Sequence, residues 1–372
     1  WINLIYAPPG SGKSVLMNSQ NLNLNMMPGL TRLPRINILD IGPSSLGLIQ
    51  LLQELLPGDR KGEAVYKALK QNKASSINPF DTVLGMRFPH ASKINFIKSF
   101  LLLLFTEDGQ TSIRKGVGEL VTMLILETYK TFSDEYSPKP YVPHIEIEVD
   151  QIIEANPDWF YQDQAINKKQ RNPLTWWKVV DSLAEHGLWR EASLAQRQAV
   201  PLLMDLTGIL HTNQSIKDIF VKTKNEEETS HHLVKMIRSA INDYVILSHP
   251  THFNVGEARV VSLDLADVTG AGSKYTLKKS GLMYMLGREG MLGNLYFNED
   301  DVKALPEPYK SYHQRRINQE LGDVKRVCFD EFHRTSKLEA VQLQVEQDMR
   351  EARKYKVEIT LASQRHKDFS EA

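Results

Sequence analysis

The chain has almost no cysteine and no long hydrophobic run. Cys328 is the single cysteine among 372 residues, which excludes an intrachain disulfide and fits a reducing, cytosolic environment. The longest uninterrupted apolar run, from Phe100 to Phe105, has 6 residues. A membrane-spanning helix needs about 20, so we expect no transmembrane segment and attachment to a membrane only through a partner.

The chain also has no net charge, because its 45 basic residues equal its 45 acidic ones. No global electric field therefore favours nucleic acid or an anionic membrane, and any such contact must be local. Basic clusters at 168–171 and at Arg315-Arg316 are interpreted as solvated surface. The charge thus does not indicate a nucleic-acid partner.

Internal repeats and low-complexity tracts are absent from the sequence as well. A length of 372 residues exceeds that of one typical domain. Trp1 already lies in strand-like sequence, and the chain ends soon after another strand. These features lead us to expect a fragment of a longer protein.

What the chain does have is a phosphate-binding pattern near its start. An apolar run at 2–6 leads into the sequence APPGSGKS at 7–14 and then into a helical pattern. A strand, a glycine-rich turn and a helix amino end together point several backbone N–H groups at one spot, which favours an anion. The residues expected to bind a nucleotide are Pro9, Gly10, Ser11, Gly12, Lys13, Ser14 and Val15.

Within this loop, Lys13 would reach the β- and γ-phosphates, and the hydroxyl of Ser14 would bind Mg²⁺. The pattern asks for glycine at its first position, where this chain has Ala7. Gly10 and Gly12 preserve the close backbone approach, so this departure leaves the mechanism intact. The competing interpretation is a chance Gly-Lys-Ser in an ordinary loop, which the flanking strand and helix disfavour.

Strand-like and helical patterns alternate along much of the chain, which favours an α/β fold with a parallel sheet. After the first strand, further strands are predicted at 35–42, 77–81, 258–265, 327–329 and 357–363, and helices at 46–56 and 348–354. From 94 to 132 and from 149 to 244 the apolar spacing is helical. We therefore predict an α/β domain formed by 1–148 and 251–372, with an all-helical insertion domain at 149–250.

The run Val327-Cys328-Phe329-Asp330-Glu331 places two adjacent carboxylates at the end of an apolar strand. Nucleotide hydrolysis needs an acidic residue that holds Mg²⁺ and a group that orients the attacking water. Asp330 is the candidate for the first role and Glu331 for the second, on a strand expected beside the P-loop strand. Two carboxylates are costly to bury without a compensating cation. The alternative is an ordinary strand that ends in an acidic turn.

The strand at 357–363 ends at a polar residue, Gln364. A neutral amide can hydrogen-bond both water and a phosphate oxygen without adding charge, so Gln364 is a candidate sensor of the γ-phosphate. The competing interpretation is a side chain that merely caps the strand end.

The segments follow one another in a specific order: APPGSGKS, ILDIG, INPFD, a helical insertion, VCFDEF, EARK and LASQ. This order resembles the large VirB-type ATPases of type IV secretion and conjugation systems, in the HerA/FtsK branch of RecA-like motors. Within that family it is most similar to the version found in the Dot/Icm, or type IVB, secretion system. The resemblance covers nearly all of the chain and implies a RecA-like P-loop NTPase sheet with a large all-helical insertion.

The resemblance implies a role for each matching residue. Lys13 and Ser14 would bind phosphate and Mg²⁺, and Asp330 would hold the metal shell. Glu331 would be the catalytic base and Gln364 the sensor. Family members usually follow the Asp-Glu pair with small and aromatic residues, whereas 332–334 is Phe-His-Arg here, so the role of that turn is open.

Motors of this class complete the site with an arginine from the neighbouring subunit, because charge that develops on the γ-phosphoryl group needs a cation from outside. Arg353, in the EARK segment, is the first candidate for this role, and Arg365 is the second. The alternative for each is a solvated surface arginine.

We therefore expect an ATPase that uses ATP and Mg²⁺ and powers substrate export or assembly of a type IV secretion system. It would act as an oligomeric ring, a hexamer, together with other secretion-system ATPases. Inner-membrane secretion components would hold it at the cytoplasmic face of a bacterial inner membrane. One alternative is a HerA/FtsK-type DNA translocase, against which the neutral composition argues. Another is a nucleotide-gated assembly scaffold with little turnover.

Overall fold

The structure of the protein is a computed structural model. It describes residues 1–106, 117–161, 173–214, 216, 226–270, 274–293, 297–320, 322–334 and 338–369, with only the backbone for 226–229 and 274–276. The predicted basic cluster at 168–171 lies outside these residues. Within the described part of the chain, no helix is both long and apolar enough to cross a membrane.

The centre of the described structure is a six-stranded sheet in which every pair of neighbouring strands is parallel. The strands are β1 (Ile2–Tyr6), β2 (Arg35–Asp40), β3 (Ala64–Ala68), β4 (Val260–Asp264), β5 (Lys325–Phe329) and β6 (Val357–Ser363). Their order across the sheet is β1-β6-β5-β2-β4-β3. Parallel pairing places all the carboxyl ends of the strands at one edge, where the loops that follow them come together.

The order of the strands corrects one expectation. The strand that precedes Asp330 was expected beside the P-loop strand, but β6 lies between β5 and β1 and pairs with both. With 7 residues, β6 is long enough to place Ser363 opposite Tyr6 and Leu361 opposite Phe329. Gln364 therefore leaves the sheet between the phosphate loop and the acidic pair.

A second correction concerns the strand predicted at 77–81, which is a loop in the structure. Pro79 has no N–H for a ladder, and the Asn78 side chain donates to the Pro201 carbonyl, 2.8 Å away. The Ile77 N–H donates to the Ile246 carbonyl at 3.1 Å. Neighbouring loops therefore satisfy the polar groups of this segment. The last strand on this side of the sheet is β3.

Helices cover both faces of the sheet. The helices of the described residues are α1 (Lys13–Asn25), α2 (Leu46–Leu55), α3 (Ala91–Leu104), α4 (Val117–Thr131), α5 (Ile147–Ala155), α6 (Pro157–Phe160), α7 (Trp176–Glu185), α8 (Trp189–Ala199), α9 (Asp205–Thr212), α10 (Glu226–Asp243), α11 (Lys274–Leu292), α12 (Glu299–Lys303), α13 (Glu307–Glu320) and α14 (Glu339–Lys354). Helices α1 and α2 pack on one face, against a cluster that includes Ile36 and Ile38. The other face packs against α3, α11 and α14.

The hydrophobic clusters group the helical middle of the chain in two parts. Helices α5, α7 and α8 form one cluster with Leu305 and Tyr309. Helices α9 and α10 instead contribute to the main cluster, which also contains residues of the sheet. The division of the chain into an insertion at 149–250 and flanking α/β parts stays a prediction.

Gly85 provides a test of how closely its loop packs against Tyr309 of α13. Its φ is +87°, and an added Cβ would lie 2.5 Å from the Tyr309 ring, which is 1% exposed. We expect Gly85→Ala to lower the free energy of unfolding by about 2–4 kcal/mol, through backbone strain and overpacking. Chemical denaturation measures this change. Gly47→Ala, in open space on α2, is the control and should be neutral or slightly stabilising; an equal effect of the two variants would contradict the packing argument.

Candidate active site

The loop between β1 and α1 has the backbone geometry of a phosphate cradle. Gly10 and Gly12 have φ values of +78° and +82°, a left-handed conformation that side chains disfavour. The Ser11 N–H donates to the Pro8 carbonyl at 3.2 Å. Because α1 begins at Lys13, directly after Gly12, the amino end of the helix opens at the loop. Pro9, Gly10, Ser11 and Val15 are exposed, so a ligand can reach this loop.

The side chain of Lys13 is bound by both members of the acidic pair. Its Nζ lies 2.7 Å from Glu331 Oε1 and 3.3 Å from Asp330 Oδ1. Burial alone would lower the pKa of Lys13. The hydrogen bond to Glu331 and the charges of the two carboxylates outweigh burial and raise this pKa above its ordinary value. Lys13 therefore carries its full positive charge at the carboxyl edge of the sheet.

Ser14 and Asp330 form the second contact across the site. The Ser14 hydroxyl donates to Asp330 Oδ2 at 2.6 Å, and the Asp330 side chain is completely buried. The backbone N–H of Asp330 donates to the Leu39 carbonyl at 2.8 Å, which holds the carboxylate against β2. One hydroxyl and one carboxylate fit Mg²⁺, which keeps several water ligands and takes others from substrate phosphates. Among the described residues, no group of three or more His, Cys, Asp or Glu side chains forms a metal cage.

Glu331 follows Asp330 in an uncommon backbone conformation. Its φ is +55°, which costs roughly 1–2 kcal/mol for a residue with a Cβ. A short 3₁₀ helix (Phe332–Arg334) comes next, in which Phe332 is completely buried and the Arg334 N–H donates to the Glu331 carbonyl at 2.9 Å. This turn aims the Glu331 carboxylate at Lys13 and holds it there. Strained backbone of this kind clusters at functional sites.

The structure brings the predicted sensor to the same carboxylate. Gln364 Nε2 lies 3.3 Å from Glu331 Oε2. Arg365 is exposed just beyond it, on the same edge of the sheet. Arg353 lies elsewhere: it is exposed in the last turn of α14, close to the amino end of β6. Within one chain, Arg353 is therefore near the edge of the sheet opposite the loop.

Two residues at the end of β2 belong to the site and were not singled out from the sequence. The hydroxyl of Ser44 lies 3.3 Å from Asp330 Oδ2 and donates to the carboxylate of Asp40. Asp40 is 2% exposed and lies beside Asp264 in the register of β2 and β4. The signal available in the sequence was ILDIG, a buried strand that ends in an acidic residue and glycine.

His333 also approaches the base candidate, with Nε2 lying 3.5 Å from Glu331 Oε2. Burial lowers the pKa of His333, and the charge of Lys13 lowers it further, whereas Glu331 raises it. A neutral imidazole near Glu331 leaves the negative charge of the carboxylate available to Lys13. This contact gives the Phe-His-Arg turn, whose role the sequence left open, a place in the site.

Asp40 makes stability depend on pH in a direction opposite to that of most carboxylates. Burial, together with the charges of Asp330 and Asp264, raises the pKa of Asp40 from 3.8 to about 7. The folded protein therefore binds this proton more tightly than the unfolded chain does. The resulting stability is fully present below about pH 4 and is lost as the pH rises through about 7.

Asp40→Asn should remove the loss of stability that occurs as the pH rises, because an amide does not titrate. At pH 8 we expect the variant to exceed the unsubstituted protein by about 2–4 kcal/mol in free energy of unfolding, and at pH 5 the difference should be much smaller. Denaturation at the two pH values without Mg²⁺ measures this. Asp59→Asn, at an exposed position, is the control, and an Asp40→Asn effect that is the same at both pH values would contradict the argument.

Comparisons with known proteins bear on the fold. No protein-family model matches the sequence, and no curated protein matches it. Among solved structures, the fold is similar to that of VirB4 of Thermoanaerobacter pseudethanolicus, with a TM-score of 0.52 and 15% sequence identity. The similarity covers 98% of this chain and 70% of the VirB4 chain. It confirms the predicted fold class, an α/β RecA-like sheet combined with many helices.

Proposed function

We propose that this chain is an ATPase that binds ATP at the loop formed by residues 7–14. The observation that carries the proposal is a convergence at one edge of the sheet. Lys13 and Ser14, near the start of the chain, contact Glu331 and Asp330 at 2.7 and 2.6 Å. A phosphate-binding loop, a metal-shell carboxylate and a carboxylate base are the parts that hydrolysis of a nucleoside triphosphate requires.

The contacts support a division of labour among these side chains. With phosphates in the loop, Lys13 would exchange Glu331 for phosphate oxygens. Glu331 would then be free to accept a proton from the attacking water. Gln364, 3.3 Å from Glu331, is placed to hold that water or a phosphate oxygen. Ser14 and Asp330 would hold Mg²⁺ or its water ligands, and the metal would offset the charge of the phosphates.

We further propose that the ATPase serves a type IV secretion system. The similarity of fold to VirB4 and the order of the sequence segments support this proposal. The finer assignment is to the DotO, or IcmB, ATPase of the Dot/Icm system, and it rests on the sequence resemblance alone. Its partners would be other secretion-system ATPases and inner-membrane components, which would recruit it to the cytoplasmic face of the membrane.

A ring of subunits is part of the proposal. Among the described ion pairs, Lys13 lies 2.7 Å from Glu331 and 3.3 Å from Asp330, and Arg334 Nε lies 4.0 Å from Glu331 Oε2. An arginine from a neighbouring copy would complete the charge stabilisation, with Arg353 as the first candidate and Arg365 as the second. Arg353 is exposed away from the loop of its own chain, so it would act on the site of a neighbouring copy and not on its own.

The test is Mg²⁺-dependent ATP hydrolysis measured against protein concentration. We expect the turnover per subunit to rise with concentration, and to rise less in Arg353→Ala. Arg350→Ala, on the exposed surface of the same helix, is the matched control. Absence of nucleotide binding at about millimolar ATP would overturn the ATPase proposal, and turnover that is independent of concentration would overturn the shared site.

A further inference from the structure

A cavity lies at the amino ends of the strands, the end of the sheet opposite the phosphate loop. It has a volume of about 370 Å³ and is lined by Arg35 and Asn37 of β2 and by Arg259 just before β4. The 5-residue distance from Arg35 to Asp40 along β2 amounts to roughly 17 Å, so this cavity is separate from the candidate active site. Its volume is within the range of pockets that bind small molecules.

The cavity has an excess of positive charge in its lining. Five cationic side chains line it, Arg35, Lys93, Arg197, Arg259 and Arg316, against three carboxylates, Asp81, Glu289 and Glu320. Burial raises the pKa of Asp81 and outweighs the opposing charges of Lys93 and Arg197, which weakens the negative contribution of that carboxyl. A lining of this kind favours an anionic ligand.

Three of the five cations are already neutralised within the protein. Lys93 Nζ lies 2.6 Å from a Glu289 carboxylate oxygen, in a pair that is at least nine-tenths buried. Arg35 pairs with Glu320 at 2.9 Å, and Arg259 pairs with Asp323 at 2.9 Å. These groups form the wall of the cavity, and their charge is not available to a ligand.

The other two cations are Arg197 of α8 and Arg316 of α13. Arg197 donates to the Thr251 carbonyl at 3.0 Å, and the Arg316 guanidinium lies 5.8 Å from the centre of the Tyr312 ring. Neither arginine has an ion-pair partner among the described residues. Two guanidinium groups at one cavity that form no ion pair with a described carboxylate are suited to the forked recognition of phosphate or carboxylate oxygens.

The amino end of α3 also favours an anion in this cavity. Helix α3, with 14 residues, begins at the cavity, because His90, which directly precedes the helix, and Lys93 of its first turn line the wall. No side chain caps its amino end, so the partial positive charge of the helix faces the same space. The pair Lys93–Glu289 continues through Arg288 to Asp348 on α14, which links this wall to the helix that precedes β6.

We propose that this cavity binds a small multivalent anion, whose phosphate or carboxylate groups are held by Arg197 and Arg316. The ligand is a small molecule because the volume excludes a folded partner. The proposal does not depend on the ATPase activity, since the two sites share no residue.

Isothermal titration calorimetry at low ionic strength and without Mg²⁺ tests the proposal, with inorganic pyrophosphate and citrate as separate probes. The intact chain and Lys13→Met are both titrated, because we expect the substitution to weaken any binding of pyrophosphate at the phosphate loop and to leave binding at the cavity unchanged. If pyrophosphate binds and citrate does not, the cavity recognises phosphate groups. If citrate binds and pyrophosphate does not, it recognises carboxylate groups. We expect Arg197→Gln and Arg316→Gln each to weaken binding of the preferred probe at least about tenfold.

Arg315→Gln is the matched control, because Arg315 is the exposed neighbour of Arg316 and does not line the cavity. Its affinity for the probe should equal that of the parent. No binding of either probe at about 10 mM would overturn the proposal. Unchanged affinity in Arg197→Gln or in Arg316→Gln would also overturn it. A loss of affinity in Arg315→Gln as large as that in Arg316→Gln would overturn it as well.

Discussion

Glu331→Gln is expected to lower ATP turnover by about 10²–10⁴-fold and to leave ATP binding intact. A glutamine keeps the shape of the side chain but cannot accept the proton of the attacking water, which corresponds to roughly 3–5 kcal/mol in the activation barrier. ATP affinity should stay the same or increase, because Lys13 loses its partner at 2.7 Å and is freer to bind phosphate. Single-turnover hydrolysis and equilibrium nucleotide binding measure the two effects separately.

The control for this variant is Glu339→Gln, at an exposed position in the first turn of α14. It should hydrolyse ATP like the unsubstituted protein. Turnover of Glu331→Gln that is within about twofold of the unsubstituted protein would show that Glu331 is not the base. That result, together with retained biological function, would favour the nucleotide-gated scaffold.

Lys13→Ala should have the second large effect, with ATP binding weakened by roughly 10- to 100-fold and turnover lowered further. A charged hydrogen bond to phosphate contributes about 1.5–3 kcal/mol to binding, and the same cation stabilises charge that develops in the transition state. The substitution also leaves Asp330, which is completely buried, without its cation. We therefore expect the free energy of unfolding to fall by about 3–5 kcal/mol.

Lys13→Met separates these effects, because methionine retains the packing of the aliphatic stem while it removes the charge. It should bind ATP as poorly as Lys13→Ala. The control is Lys61→Ala, at an exposed position far from the loop in sequence. Binding by Lys13→Met that equals binding by Lys61→Ala would exclude the phosphate loop as the nucleotide site.

The effects expected for Glu331→Gln and Lys13→Ala come from one arrangement, in which Lys13 and Glu331 form an ion pair at the carboxyl ends of the strands. The strained backbone of Glu331, with φ at +55°, and the anchor at Phe332 keep the carboxylate within reach of Lys13. If ATP binds as proposed, it would compete with Glu331 for this lysine. The competition would couple nucleotide binding to the release of the proposed base.

Much of this site could be predicted from sequence because its parts are local patterns. Gly10 and Gly12 at fixed spacing predict left-handed turns next to a helix start, and both have positive φ in the structure. The apolar run that ends in Asp330 predicts a buried strand for the same reason, since alternation and β-propensity act over a few residues. The parallel α/β class follows from the order of such segments.

The contacts between segments were decided by the tertiary structure. The position of β6 between β1 and β5 requires β6 to pair with β1, at the other end of the chain, and no local pattern encodes which strands become neighbours. The contribution of Ser44 and Asp40 depends on another long-range pairing, because it requires β2 to lie beside β5. The strand predicted at 77–81 is a loop for a related reason. Its polar groups bond to loops that are distant in sequence, and these tertiary contacts outweigh the local preference for a strand.

By itself, then, the sequence determined the parts of the candidate active site: the glycine turns, the lysine, the hydroxyl and the paired carboxylates, each carried by a short pattern with its own backbone preference. Only the tertiary structure decided their neighbours, including the Lys13–Glu331 contact, the Ser44–Asp330 contact and the cationic cavity at the far edge of the sheet. The physical reason is that side-chain chemistry is local, whereas burial and charge compensation arise from segments that meet only when the chain folds.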